Sequence, residues 1–157
     1  MMEQTENRPM KRVQDSETTQ IQVVNQTHLN GYNRVFGGQL MSWMDVVAAV
    51  VARRHSGRNV TTARIEDLEF RAPAHANDTL VLIGHISYAG STSMIVTVRT
   101  YVEALDGSRT MTNQARFVMV ALDENEKPAL VPGLLLETEE QKAEWAEAEA
   151  LRKSWKK

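Results

Sequence analysis

Asp45 is the only charged residue between Arg34 and Arg53. It interrupts the run Leu40-Met41-Ser42-Trp43-Met44-Asp45-Val46-Val47-Ala48-Ala49-Val50-Val51-Ala52. At helical spacing that run is apolar nearly all the way round, which predicts a helix buried on most sides. An unpaired carboxylate there costs roughly several kcal/mol unless it is hydrogen-bonded, paired or neutralised. Two readings follow from the residues alone. A buried carboxylate with a shifted pKa is a common general base or nucleophile; it can equally be tied to a neighbouring strand or a subunit partner for structural reasons. Other chemistries lack their residues. The histidines His28, His55, His75 and His85 are scattered with no pair at ligand spacing, so no zinc site is expected. The chain has no cysteine, which removes thiol nucleophiles, disulfides and Cys-based metal sites. No Gly-x-Ser-x-Gly elbow, Walker loop or Gly-x-Gly-x-x-Gly fingerprint occurs.

The element that must position Asp45 is a helix from about Gly38 to Arg54, stopping near Gly57 after the basic turn Arg53-Arg54-His55. Before it, residues 1–15 read as a disordered tail, Thr18 to Val24 as a strand, and Asn25 to Asn33 as a turn-rich segment. After it the period changes from helical to alternating. Strands are expected over Thr62–Phe70, Thr79–Tyr88, Ser93–Glu103 and Arg109–Leu122, the last two joined by a hairpin at Asp106-Gly107. Residues 135–157 read as a C-terminal amphipathic helix with a narrow apolar stripe of Trp145, Leu151 and Trp155, packed loosely or against a partner subunit. One helix segregated from a run of antiparallel strands predicts an α+β domain over 16–134. A single curved sheet wrapping a single apolar helix satisfies that pattern.

Composition narrows the partners. At 157 residues the chain is one domain. Its 18 Lys and Arg nearly cancel its 20 Asp and Glu, so no nucleic-acid footprint is expected. Met1 to Gln14 is polar and mixed in charge, without the apolar core of a signal peptide, and Val35 to Ala52 is too short and too interrupted to predict a spanning helix. A cytoplasmic protein without a membrane partner is the expectation.

The segment Asn30-Gly31-Tyr32-Asn33-Arg34-Val35-Phe36-Gly37-Gly38-Gln39-Leu40-Met41-Ser42-Trp43-Met44-Asp45 resembles the signature of the hotdog-fold acyl-CoA thioesterases of the acyl-CoA hydrolase family. Three later blocks resemble that family in the same order: Val60-Thr61-Thr62-Ala63, Phe70-Arg71-Ala72-Pro73 and Gly90-Ser91-Thr92-Ser93-Met94. The similarity covers roughly Val23 to Pro132. It implies a hotdog fold, homodimers that often assemble further into hexamers (trimers of dimers), and hydrolysis of acyl-CoA to a carboxylic acid and CoA without a metal or other cofactor. It also implies that Asn30 and Asp45 are the catalytic positions, the Asn of one unit facing the Asp of its partner.

The residues supply a physical logic beside the resemblance. Thioester hydrolysis needs a base or nucleophile, a positioned water, and donors for the developing oxyanion. A helix N-terminus offers free N–H groups, and Gly37 and Gly38 let a carbonyl approach them closely. Asp45, seven positions after Gly38, returns to almost the same helical face. Asp45 is then general base or direct nucleophile, Asn30 orients water or the carbonyl, and the amides at Gly37, Gly38 and Gln39 form the oxyanion site. Taken alone, Asn30 before Gly31 reads first as turn chemistry, and the catalytic role rests on the resemblance. For CoA, the candidate contacts are Gly90, Ser91, Thr92 and Ser93, with Arg58, Thr62 and Arg64; a plain hairpin and a solvated helix end explain them as simply. The family often has Gly at the positions of Asn33 and Asn77, and asparagine is the residue that best tolerates a left-handed backbone in its stead. Two other functions fit the same fold. One is a non-catalytic acyl-CoA-sensing module; the other is hydration or dehydration of acyl thioesters, for which His28 is the only nearby histidine.

Overall fold

Alternating apolar residues from Thr79 onward become three long strands, and several turns fall where a left-handed residue is available, as at Asn33, Gly57, Asn77 and Gly107. The protein is described here from a computed structural model covering residues 8–155. In chain order the elements are β1 (Met10–Arg12), β2 (Thr18–Val23), α1 (Gly37–Ser56), β3 (Asn59–Phe70), β4 (Thr79–Ala89), β5 (Ser93–Glu103), β6 (Arg109–Leu122), β7 (Gly133–Leu135) and α2 (Glu139–Ser154). Five strands form one antiparallel sheet in the order β2-β4-β5-β6-β3. The architecture is the expected α+β one, with a curved sheet carrying the long helix α1 on one face and the C-terminal helix on the other. Helix α1 ends as the sequence predicts: Gly57 takes a left-handed φ of 70° and its N–H donates to the Arg53 carbonyl at 2.8 Å. Asn33 and Asn77 stand at φ 59° and 70°, so asparagine does supply the left-handed turns at both positions.

Three expectations need correction. Met10 to Asp15 is not a tail: β1 pairs in parallel with β7, and the Arg8 guanidinium donates to the carbonyls of Gly90, Val131 and Pro132. Backbone pairing does this work, so no apolar alternation announces it. Residues 1–7 of that expected tail lie outside the described residues. Helix α2 is also not loose. It lies on its own sheet's outer face, with Trp145 on the Tyr88 ring at 4.5 Å and Ala148 buried beside Ile95 and Val118. Finally, α1 is buried on its sheet-facing side rather than on most sides. Its inner face, including Leu40, Trp43, Met44, Val47 and Val51, is buried against the sheet, while Ser42, Val46 and Arg53 point outward and Val46 is 53% exposed. Asp45 sits at the margin, half-buried.

Close packing of α1 depends on Gly84 in β4. A Cβ added there would stand 2.7 Å from Val47 Cγ1 and 3.2 Å from Val51 Cγ2, and β-branched side chains have few rotamers in which to retreat. Gly84→Ala is therefore expected to destabilise the fold by about 1–3 kcal/mol through overpacking, seen as a lower Tm.

Charged groups hold α2 down. Glu144 accepts from His85 and, at 3.0 Å, from Arg99; Arg116 bridges Asp67 at 3.0 Å and Glu147 at 2.7 Å. Burial pushes the Glu144 carboxyl up, but the hydrogen bonds and charges of His85 and Arg99 outweigh it and hold it at about 2. A carboxyl lowered on folding lends stability that is complete above its ordinary value, 4.5, and is lost as pH falls toward 2. Between those pH values the Tm of the native chain should fall more steeply than that of Glu144→Gln, and parallel curves would remove Glu144 from the docking of α2.

Candidate active site

Asp45 reaches the sheet through one residue. Thr62 Oγ1 in β3 donates to Asp45 Oδ1 at 2.6 Å, and the same hydroxyl touches Met119 Sδ at 3.4 Å. The bond fixes one carboxylate oxygen and leaves the other on the open margin of α1. The register of β3 shifts between Thr62 and Arg64, so Ala63 is a bulge. Residues two apart on a strand ordinarily share a face. Here the bulge reverses that: Thr62 meets α1, whereas Arg64 pairs with Glu66 and stacks over the Trp155 ring, 4.4 Å from its centroid, on the α2 side.

Asn30 is set by a turn. Its backbone N–H donates to the Arg34 carbonyl at 2.8 Å, and its Oδ1 accepts from the amides of Tyr32 at 2.8 Å and Arg34 at 3.3 Å. The turn chemistry is therefore real, and it consumes the side-chain oxygen. What remains is the Nδ2 amide, a donor, at the edge of a cavity of about 380 Å³. Gly37, Leu40 and Phe70 line the same cavity. Helix α1 opens there without a side-chain cap, because its N-cap is Phe36. The first N–H groups, at Gly37, Gly38 and Gln39, therefore have no intrahelical acceptor. Asp45 does not line this cavity, and Thr62 is its hydrogen-bond partner among the described residues. One chain thus brings Asn30 to the helix N-terminus and Asp45 to Thr62, without joining the two pairs.

The other candidates are dispersed. The Gly90–Ser93 hairpin closes β4 onto β5, with Gly90 N–H donating to Ser93 O at 2.8 Å. Its carbonyls are used: Gly90 by Arg8, Ser91 by Val131 N–H at 2.9 Å, Thr92 by Ala121 N–H at 3.0 Å. Ser93 Oγ is buried without a hydrogen-bond partner among the described residues, and Ser91 is exposed. Arg58 and Arg53 line a cavity of about 410 Å³ beyond the C-terminal end of α1, and neither has an ion pair among the described residues. His28 is occupied structurally. Its Nδ1 accepts from the Asn25 amide at 3.1 Å and its ring packs edge-on against Trp43 at 4.7 Å. His55, in the last turn of α1, is buried and donates from Nε2 to the Pro132 carbonyl at 2.8 Å; burial lowers its pKa.

Residues 32–106 match the family model described as the Thioesterase superfamily. An "Apo-Hexameric Acyl-CoA Thioesterase" of known structure superposes with a TM-score of 0.89 at 35% identity, covering 93% of this chain and 94% of that one. The chain belongs to the hotdog-fold acyl-CoA thioesterases. An uncharacterized acyl-CoA thioester hydrolase of Bacillus subtilis is 37% identical over 113 residues, 71% of this chain and 66% of that protein. The match to mouse acyl-coenzyme A thioesterase 11 spans only 23% of that protein, so some relatives carry much more besides this hotdog unit. An acyl-CoA hydrolase from Staphylococcus aureus, solved with butyryl-CoA, CoA and CoA disulfide, is 30% identical with a TM-score of 0.89, covering 94% and 91% of the two chains. Alanine variants of that hotdog hydrolase at an asparagine, an aspartate and a threonine have also been solved, the three positions lying fifteen and then seventeen residues apart.

The sequence pointed to Thr62 only as a strand-edge contact, and its bond to Asp45 was not legible. An isolated threonine at a strand start carries no signal of which face it joins. The part that Phe70 to Ala74 play in the cavity with Asn30 and Gly37 was equally hidden, since that segment lies more than thirty residues further along the chain.

Proposed function

We propose that this hotdog thioesterase hydrolyses acyl-CoA to a carboxylic acid and CoA in a site built from two protomers. The observation carrying the proposal is the division of labour within one chain: donors at the Asn30 cleft, a Thr62-held carboxylate outside it. A two-fold dimer places one protomer's Asp45 over its partner's cleft. Two features invite such pairing. Strand β3 is a sheet edge twelve residues long with Phe70 55% exposed, and α1 presents Val46 outward beside Asp45. The separations Asn30 to Asp45 to Thr62 are fifteen and seventeen, equal to those of the three positions varied in the Staphylococcus aureus enzyme. Assembly of such dimers into a hexamer is proposed by analogy with the hexameric neighbour.

The roles proposed for the residues rest on this geometry. Asn30 Nδ2 and the open amides at Gly37, Gly38 and Gln39 donate to the thioester oxygen as negative charge develops on it. Thr62 positions Asp45 by its 2.6 Å bond. As general base, Asp45 takes a proton from water, water oxygen bonds to the carbonyl carbon, and the C–S bond breaks with a proton passing to the thiolate. As nucleophile, its oxygen bonds to that carbon directly, CoA leaves, and water then opens the anhydride. Both routes consume one water and yield acid and thiol. The hydroxyls and free amides of Ser91 and Thr92 serve the pantetheine arm, and Arg58 with Arg53 the phosphates. Arg64 is proposed to steady the wall through Glu66 and Trp155 rather than to reach the coenzyme. His28, bound to Asn25 and Trp43, is poorly placed to serve a hydratase.

The test is thiol release from a panel of acyl-CoAs, short to long, by the native chain and Asp45→Asn side by side. Rapid, Asp45-dependent release is expected. Binding of acyl-CoA without release would make the protein a sensor instead.

A further inference from the structure

Two arginines in the Asn30 cleft are left unused by the hydrolytic steps. Arg34 and Arg71 line it, its floor is apolar from Val35, Leu40, Phe70 and Pro73, and among the described residues no carboxylate lines it. Arg34 is not on a loose loop. Its N–H donates to Asn30 Oδ1 at 3.3 Å, its carbonyl accepts from Asn30 at 2.8 Å, and the next amide, Val35, donates to Ala74 O at 2.8 Å. Its backbone is thus tied to the very residue that faces the thioester oxygen. Its guanidinium has no hydrogen bond or ion pair among the described residues. Arg71 pairs with Glu69 at 2.9 Å through part of its fork, and a guanidinium has five donors.

On the hydrolase reading above, we propose that this cleft receives the acyl group and that Arg34, seconded by Arg71, binds a carboxylate at that group's far end, making CoA thioesters of short dicarboxylic acids the favoured substrates. A plain alkyl chain lying along the apolar floor ends in a methyl group, which gives a guanidinium nothing in exchange for lost water. A terminal carboxylate forms charge-assisted, bidentate hydrogen bonds there. The acyl group is short because only four positions of chain, pulled into a closed turn, separate Arg34 from Asn30. The coenzyme's own phosphates are the rival anion. For them the reading above already offers the cavity at Arg53 and Arg58, which within one protomer lies at the other end of a 20-residue helix about 30 Å long.

The experiment compares kcat/KM for straight-chain acyl-CoAs and their ω-carboxy analogues of equal length, in the native chain, Arg34→Gln and Arg34→Lys. The same acyl groups are also presented on N-acetylcysteamine, which lacks the phosphates. The native chain should favour the ω-carboxy substrates by about tenfold or more. Arg34→Gln should erase that preference on both thiol carriers, and Arg34→Lys should keep part of it. Equal rates for both substrate sets in the native chain overturn the proposal. So does a loss in Arg34→Gln that disappears on N-acetylcysteamine, which would give Arg34 to the coenzyme's phosphates. Absence of thiol release from every thioester is a different result, overturning the hydrolase reading and this proposal with it.

Discussion

Replacing Asp45 by asparagine is expected to lower thiol release by about two to four orders of magnitude while leaving the fold intact. Asparagine keeps the volume and an oxygen for Thr62 Oγ1 to donate to, so the 2.6 Å contact has a successor. What disappears is the charge and basicity, since an amide neither takes a proton from water nor attacks a carbonyl carbon near neutral pH. Asp45 is half-buried at the margin of α1, outside the packed face formed by Met44, Val47 and Ala48, so the change disturbs no core contact. Thermal unfolding within a few degrees of the native chain would show that the loss is chemical. A fully active Asp45→Asn sinks both the base and the nucleophile roles, and a variant that no longer folds would mean that the charge at Asp45 anchors β3 to α1.

The long helix α1 and the strands of the main sheet were legible because each has a local cause, whereas β1 and β7, made by backbone pairing with each other, were not. Alternation marks β4, β5 and β6, Gly57 stops α1, and Asn33 and Asn77 take the left-handed turns. What stayed hidden depends on partners distant in the chain. A helix apolar nearly all the way round predicts burial on most sides, yet Val46 is exposed in the protomer; hydrophobicity records that a surface leaves water, not which chain covers it. The docking of α2 on its own sheet was missed because His85, Arg99 and Arg116, which receive Glu144 and Glu147, lie on three different strands. The bulge at Ala63 is a deeper limit. One extra residue turns Arg64 to the α2 face while Thr62 keeps to α1, and no residue type at that point announces it. Asp45 could be singled out from sequence, but its mate Thr62 could not.

Mixing two inactive variants gives the strongest evidence on whether the site spans two chains. Asn30→Ala removes the donor of the cleft, and Asp45→Asn removes the carboxylate; each homodimer should be nearly inert. In a mixed dimer, one of the two sites pairs the intact Asn30 of one protomer with the intact Asp45 of the other. Equal random mixing makes about half the dimers mixed, and half of their sites whole, so activity should recover to about a quarter of the native level. The measurement is thiol release by the co-refolded mixture and then by mixed dimers isolated with tags of different charge, which should reach about half the native level because one of their two sites is whole. If Asn30 and Asp45 worked within a single chain, no protomer in the mixture would carry both, and purified mixed dimers would stay inert. The separation seen here, Asn30 with Gly37 at one cavity and Asp45 with Thr62 outside it, is the reason to expect recovery. The same dimers would show whether the cleft arginine acts across the interface. With Arg34→Gln placed on the Asp45→Asn chain, it shares the working site with the intact Asn30, and any preference for ω-carboxy substrates should vanish. Placed on the Asn30→Ala chain, it belongs to the dead cleft, and the preference should survive.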